Sequence, residues 1–169
     1  MKLRAVLAAC GGFLLAVLWF DLMFDIQVLR HAPAPAPLPE ATLTSIARYY
    51  ARVTTDAHPM QRLIALVMAT TVLGSAWSVW TTPRRILPWV ACLSATVPIG
   101  LAAARAFPNA VRLGAGTASL AEQSALARAI FADHVICLPA IVAFTVLQIV
   151  LLTQRPSHAP RTPPAAAPW

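Results

Sequence analysis

Charged residues are scarce in this sequence, and the two signs are unequally represented. Only 11% of the 169 residues are charged, with 6 acidic residues against 13 lysines and arginines, whereas 59% are hydrophobic. So few charges could not cover the surface of an ordinary water-soluble domain. The composition therefore excludes that class and indicates a protein whose surface faces lipid.

Several sequence signatures of enzymes are also missing. Cys10, Cys92 and Cys137 form no CxxC pair, which argues against a thiol-disulfide oxidoreductase. No GxSxG, Walker A, GxGxxG or HExxH pattern occurs, so no hydrolase, nucleotide-binding or zinc-protease signature is present. No pattern in the sequence identifies a cofactor, and we predict no metal site.

Long hydrophobic runs, in contrast, are abundant. A helix needs roughly 20 apolar residues to cross about 30 Å of hydrocarbon, and four stretches qualify, at about residues 5–24, 60–80, 86–106 and 130–154. We therefore predict an all-α fold, a four-transmembrane-helix bundle over residues 1–154 with an outer loop over residues 25–59. Residues 155–169 include five prolines and are predicted to form a disordered cytoplasmic tail.

The N-terminal run has a second interpretation, as a secretory signal. Lys2 and Arg4 precede it, and Leu7-Ala8-Ala9-Cys10 resembles a lipoprotein cleavage site. Only five apolar residues separate Arg4 from Cys10, fewer than the roughly 7–15 of a signal sequence. We therefore favour a retained transmembrane helix.

The distribution of basic residues favours one orientation. With the N-terminus inside, the cytoplasmic segments carry no acidic residue and a net charge of +6, whereas the outer segments carry +1. This bias predicts a protein of the cell inner membrane with both termini in the cytoplasm. Anionic lipid attracts such charge, so we predict the bilayer as partner, with no nucleic acid. A homo-oligomer or a membrane partner protein is a further possibility.

The outer loop contains two different patterns. From His31 to Pro39, proline alternates with other residues, which is typical of an extended polyproline spacer. Over about residues 44–55, apolar residues recur at helical spacing. This predicts a short interfacial helix with Tyr49 and Tyr50 near the lipid headgroups.

Three further local features concern the helices and the second outer loop. Gly12 lies in a row of small residues with Ala8 and Ala16, which predicts close helix packing in lipid. Residues 107–117, which contain two glycines, are predicted to form turns. Ser119 and Glu122 form a capping-box pattern. The fourth helix is therefore predicted to be extended, about 35 residues long, with its first turns above the membrane.

Acidic residues and histidines supply the candidate site. All six carboxylates and three of the four histidines fall on the predicted outer side. Asp21 and Asp25 are one turn apart on one helix face, near the outer edge of the hydrocarbon. The candidate catalytic residues are Asp21, Asp25, Asp133 and His134, and the candidate binding residues are His58, Arg62, Asn109 and Arg128.

Two interpretations of these residues stay open. In the first, Asp21 and Asp25 pair with Arg62, Arg105 or Arg128 and only hold helix ends together. In the second, a pocket open to the periplasm gathers side chains that could form a proton-transfer pair. These are Asp21, Asp25, Asp133 and His134, with His58 as a further candidate. A metal ion would be a special case of the second, since carboxylates and imidazoles are suitable ligands.

The chain resembles the anthrone-oxygenase-like family of small four-helix membrane proteins. The resemblance rests on Asp21-Leu22-Met23-Phe24-Asp25, Tyr49-Tyr50, Pro59-Met60-Gln61, Pro108-Asn109, and Arg128 with His134. Family members often have Asn and a Glu-His pair where this chain has Asp21 and Phe24-Asp25, and an Arg where it has Leu138. The resemblance implies the four-helix architecture, polar site positions at Asn109 and His134, and cofactor-free oxidation of an aromatic substrate.

Two functions are therefore expected. The first is a small-molecule-binding or oxidoreductase-like membrane enzyme that uses the outer Asp/His residues. The alternative is a non-catalytic membrane scaffold or subunit that binds a partner protein or lipid.

Overall fold

Helices account for nearly all of the residues that the structure describes. The computed structural model describes residues 2–31 and 36–154, and no strand is present in these ranges. Their α-helices are α1 (Lys2–Asp25), α2 (Glu40–Ala51), α3 (His58–Thr81), α4 (Ile86–Leu101), α5 (Phe107–Ala115) and α6 (Leu120–Thr153). A 3-10 turn, Ile26–Arg30, extends α1, and π turns at Arg52–Asp56 and Ala102–Ala106 follow α2 and α4. The predicted disordered tail and part of the polyproline spacer lie outside the described residues.

Four helical segments are long and apolar enough to cross a membrane. They are Lys2–Arg30, His58–Thr81, Ile86–Ala115 and Leu120–Thr153. Large apolar side chains cover their outer surfaces, for example Trp19, Leu73 and Ile136, which are 62%, 70% and 61% exposed. Such a surface is unfavourable in water and suits contact with lipid. The predicted all-α four-helix membrane bundle is confirmed.

One end of the bundle gathers the start of α1, the α3–α4 turn and the end of α6. The turn is closed by the amide of Arg85, which donates to the carbonyl of Thr82 at 3.1 Å. The Arg4 guanidinium donates to the carbonyl of Leu151 in the last turn of α6. This bond satisfies a carbonyl that has no partner within its own helix.

A core of buried apolar side chains lies at the opposite end of the bundle. The apolar face of α2 packs against α5 and the first turns of α6, and the buried side chains include Leu43, Ile46, Leu113, Ala127 and Ile130. We call this layer the cap. The start of α6 is as predicted, because Ser119 Oγ accepts from the amide of Glu122 at 3.3 Å. The first turns of α6 therefore form part of the cap.

Two local predictions about this end are wrong. Residues 107–115 form α5 rather than turns, because Pro108 is tolerated in a first helical turn and Leu113 gains burial in the cap core. Only Gly116, with φ of 66°, ends the helix in the left-handed conformation that glycine adopts readily. Tyr50 of α2 also does not face the headgroups, since it is only 2% exposed.

Glycines mark the closest helix contacts. A Cβ on Gly11 would lie 2.4 Å from Thr145 Oγ1 of α6, whereas one on Gly12 would meet nothing within 4 Å. The small residue that packs is therefore Gly11, and the predicted role of Gly12 is wrong. In the cap, a Cβ on Gly114 of α5 would lie 2.8 Å from the backbone nitrogen of Ala51 in α2. The backbones of α2 and α5 thus approach as closely as glycine permits.

Candidate functional site

The candidate site lies beneath the cap, where the last turns of α1 meet the middle of α6. Asp21 and Asp25 project from one face of α1 towards His134 of α6, and their four-residue spacing predicts this shared face. Asp25 is completely buried and His134 is 6% exposed. We call these three residues, with Tyr49 and Tyr50 of α2, the polar cluster.

His134 and Asp25 form the central pair of the polar cluster. Nδ1 of His134 lies 2.7 Å from Oδ2 of Asp25. With Asp25 as a carboxylate, which only accepts hydrogen bonds, Nδ1 is assigned as the donor. The bond fixes the ring tautomer and orientation and leaves Nε2 as the nitrogen that can gain or lose a proton.

Asp21 faces this second nitrogen. Its Oδ2 lies 3.9 Å from Nε2 of His134, which is beyond hydrogen-bond length but close enough for a strong charge interaction. A proton taken up at Nε2 would produce an imidazolium between two carboxylates. Opposite charges at this separation, in a largely buried site, stabilise that cation.

Two tyrosine hydroxyls complete the polar cluster. Tyr49 donates to Oδ1 of Asp21 at 2.6 Å, and Tyr50 donates to Oδ1 of Asp25 at 2.8 Å. The ring of Phe24 stacks on that of Tyr49, with centroids 4.1 Å apart and planes 10° apart. The result is a chain of polar contacts that runs Tyr49, Asp21, His134, Asp25, Tyr50.

Both tyrosines are held in the protonated form. Burial, and next to it the charge of Asp21, raises the pKa of Tyr49 above its ordinary value. Burial and the charge of Asp25 do the same for the pKa of Tyr50. Because the phenol pKa is about 10 even before these shifts, both hydroxyls remain donors at neutral pH.

Tyr49 and Tyr50 are not among the predicted site residues. Aromatic residues are common at the lipid headgroups, where both were expected to lie. One signal in the sequence could have placed Tyr50 inside, since Tyr50 shares the apolar helical face of Ile46 and Val53. Its partner carboxylate, 25 residues away in the sequence, could not be identified from spacing.

Asp133 lies outside the polar cluster although it adjoins His134. Successive helical residues point about 100° apart, so Asp133 turns towards the π turn that follows α4. Its Oδ1 pairs with Arg105 Nη2 at 3.2 Å, and its buried Oδ2 has no hydrogen-bond partner in the described part of the chain. The hypothesis that arginines pair with Asp21 and Asp25 is wrong, because Tyr49, Tyr50 and His134 are their partners.

The predicted binding residues are not gathered at the polar cluster. Arg128 donates to the carbonyl of Ala36 at 2.8 Å. His58 and Arg62 are exposed in the first turns of α3, and Asn109 is half-buried in α5. No hydrogen bond or ion pair joins these four residues to the cluster within residues 2–31 and 36–154, and the same ranges hold no group of three side chains placed to bind a metal ion.

An open cleft of about 790 Å³ adjoins the polar cluster. One wall is an exposed face of α2 and its π turn, which carries Glu40, Thr44, Arg48 and Arg52, and the other wall includes Phe24 of α1. Tyr49 belongs to both the cleft and the cluster. A molecule in the cleft would therefore contact a side chain that is hydrogen-bonded to Asp21.

Comparison of the chain with protein families, curated proteins and solved structures found no match. The function must therefore be inferred from the chemistry of the polar cluster and the cleft. The resemblance to the anthrone-oxygenase-like family stays a prediction.

Proposed function

We propose that this membrane protein binds a small molecule beside the polar cluster and exchanges a carbon-bound proton of that molecule through Nε2 of His134. The observation that supports this function best is the buried His134–Asp25 pair, which orients the ring from one side and leaves the other nitrogen available. Protons on oxygen and nitrogen exchange with water unaided. A proton on carbon exchanges slowly, so its transfer gains most from an oriented acid–base pair.

Each residue of the polar cluster has a distinct role in this proposal. His134 takes the proton at Nε2, Asp25 holds the ring through Nδ1, and Asp21 stabilises the resulting imidazolium. The tyrosines hold the two carboxylates in place. The proton held at Nε2 exchanges with water, and Nε2 then returns a proton to the carbanion of the bound molecule, so the step involves no net oxidation.

An oxidoreductase-like activity, which the family resemblance implies, is a further part of the proposal, with dioxygen as the co-substrate that accepts the two electrons of the aromatic substrate. His134 would contribute the base that first deprotonates the substrate.

A non-catalytic scaffold is the second candidate function, and one observation favours it. The bonds from Tyr49 to Asp21 and from Tyr50 to Asp25 fasten α2 of the cap to α1. In this case the polar cluster only holds the cap in position, and the cap surface binds a partner protein or lipid.

Deuterium exchange distinguishes the two functions. We expect the purified protein in D2O to introduce deuterium at a carbon position of at least one molecule in a lipid-soluble extract of its native membranes, detected by mass spectrometry. Loss of a general base slows such steps by about 10²–10⁴-fold. His134→Asn should therefore reduce the exchange by that factor.

His31→Asn is the matched control for this experiment. His31 lies outside the polar cluster, where its Nε2 is 2.9 Å from Thr42 Oγ1, so this variant should exchange at the wild-type rate. Absence of exchange with the wild-type protein, or undiminished exchange with His134→Asn, would refute the proton-transfer function. If His134→Asn then lowered only the melting temperature, the scaffold function would be favoured.

We also propose that the protein lies in the inner membrane with both termini in the cytoplasm. The structure supports this orientation by placing Lys2 and Arg4 at the same end of the bundle as Arg84 and Arg85, which concentrates positive charge on one side. A C-terminal fusion to green fluorescent protein should fluoresce, and the same fusion to alkaline phosphatase should be inactive. The reverse pair of results would contradict the orientation.

A further inference from the structure

The cleft beside the polar cluster has a basic end and an acidic end. Glu40, Arg48 and Arg52 line it at intervals that place them along one side of α2 and its π turn. Glu40 and Arg48 are eight residues apart, or about 12 Å along a helix. Glu40 lies in the first turn of α2, where the helix dipole favours an acidic residue. The positive charge is therefore concentrated at the far end of the cleft.

The two arginines of the cleft are available for a ligand. Neither Arg48 nor Arg52 takes part in an ion pair within the part of the chain that the structure describes. Both are exposed, and they are one helical turn apart. Two guanidinium groups so placed suit a carboxylate or phosphate group, because each can donate two parallel hydrogen bonds to it.

The opposite wall of the cleft is apolar and close to lipid. Phe24 stacks on Tyr49, and just before it on α1 Phe20 and Met23 are 59% and 56% exposed on a membrane-spanning helix. Because the cleft adjoins this apolar surface at Phe24, an amphiphile in the bilayer can place its apolar part against Phe24. Its polar end then reaches α2.

We infer that the cleft binds an anionic amphiphile of the membrane, with its carboxylate or phosphate head between Arg48 and Arg52 and its apolar part against Phe24 and Tyr49. The cleft volume of about 790 Å³ lies within the range usual for small-molecule sites, about 300–1,000 Å³. This inference rests on the proposed function in one respect. It requires that a molecule in contact with Tyr49 also lies close enough to Asp21 and His134 for proton transfer. It names the substrate class of that site.

Binding of a simple anionic amphiphile tests the inference. The full-length protein in dodecyl maltoside is titrated with dodecyl phosphate and with dodecanol, and bound molecules are counted by native mass spectrometry. We expect one dodecyl phosphate per chain, bound at least about tenfold more tightly than dodecanol, because only the phosphate forms charge-assisted hydrogen bonds. Equal binding of the two would overturn the inference.

Charge variants locate the bound head group. The double variant Arg48→Gln/Arg52→Gln should weaken dodecyl phosphate binding by about tenfold or more, whereas Glu40→Gln should strengthen it, since a like charge is removed. Arg84→Gln/Arg85→Gln, at the other end of the bundle, removes the same charge and should leave binding unchanged. Equal weakening by both double variants, or weaker binding with Glu40→Gln, would contradict the inference.

Competition identifies the source of the amphiphile. If phosphatidylglycerol displaces dodecyl phosphate, the natural ligand is a phospholipid, and if it does not, the ligand is a free single-chain anion. Either result supports the cleft as the site. The two proposals fail separately: lost anion selectivity with intact deuterium exchange refutes only this inference, and normal binding without exchange refutes only the proton-transfer function.

Discussion

Replacing Gly114 with alanine should lower the free energy of unfolding by about 1–3 kcal/mol, the usual effect of an overpacked contact. The new Cβ would lie 2.8 Å from the backbone nitrogen of Ala51 and 3.0 Å from the backbone carbon of Tyr50. Backbone atoms cannot rotate away as a side chain can, so α2 must move. Because Tyr50 lies at this contact, its hydroxyl should also move away from Asp25.

Thermal and denaturant unfolding of the protein in detergent measures this effect. Gly12→Ala is the matched control, because its Cβ would meet nothing within 4 Å and alanine favours a helix more than glycine does. The control should be neutral or stabilising. Equal loss of stability in the two variants would show that α2 and α5 are not in close contact. Gly114→Ala should also slow deuterium exchange if the cap positions the polar cluster.

Replacing Asp25 with alanine should have the largest effect of any single change in the polar cluster. The substitution leaves two buried donors, Nδ1 of His134 and the hydroxyl of Tyr50, without the acceptor that now lies 2.7 and 2.8 Å away. Each buried donor left without a partner costs about 1–3 kcal/mol. With two such donors, we expect the free energy of unfolding to fall by about 2–6 kcal/mol.

Two further variants test the physical reason. Glu40→Ala removes an exposed carboxylate and should change stability by no more than about 0.5 kcal/mol. The triple variant Asp25→Ala/His134→Leu/Tyr50→Phe removes all three polar groups and should recover part of the stability that Asp25→Ala loses. If Asp25→Ala lowered the free energy of unfolding no more than Glu40→Ala does, the Asp25 carboxylate could not be the buried acceptor that the structure shows.

The membrane bundle could be predicted from the sequence because its signals are local. A hydrophobic run of sufficient length specifies a spanning helix without knowledge of its neighbours. The Ser119 capping box likewise involves residues within one turn. The placement of Asp21 and Asp25 on one helix face likewise followed from their four-residue spacing.

The composition of the polar cluster required the tertiary structure. Tyr49 and Tyr50 meet Asp21 and Asp25 only because the cap folds α2 back over the end of α1. The same packing decided that residues 107–115 form a helix and that Asp133 faces Arg105. None of these pairings has a fixed sequence spacing, so local pattern could not reveal them.

The amino-acid sequence by itself therefore determined the four membrane-spanning helices and the apolar surface that faces lipid, because each depends on neighbouring residues in one segment. Only the tertiary structure decided which polar groups share a site and which face of α2 forms the cleft. The reason is that these features depend on how closely separate helices approach, as at Gly114 and Ala51. That distance is set by packing across the cap core.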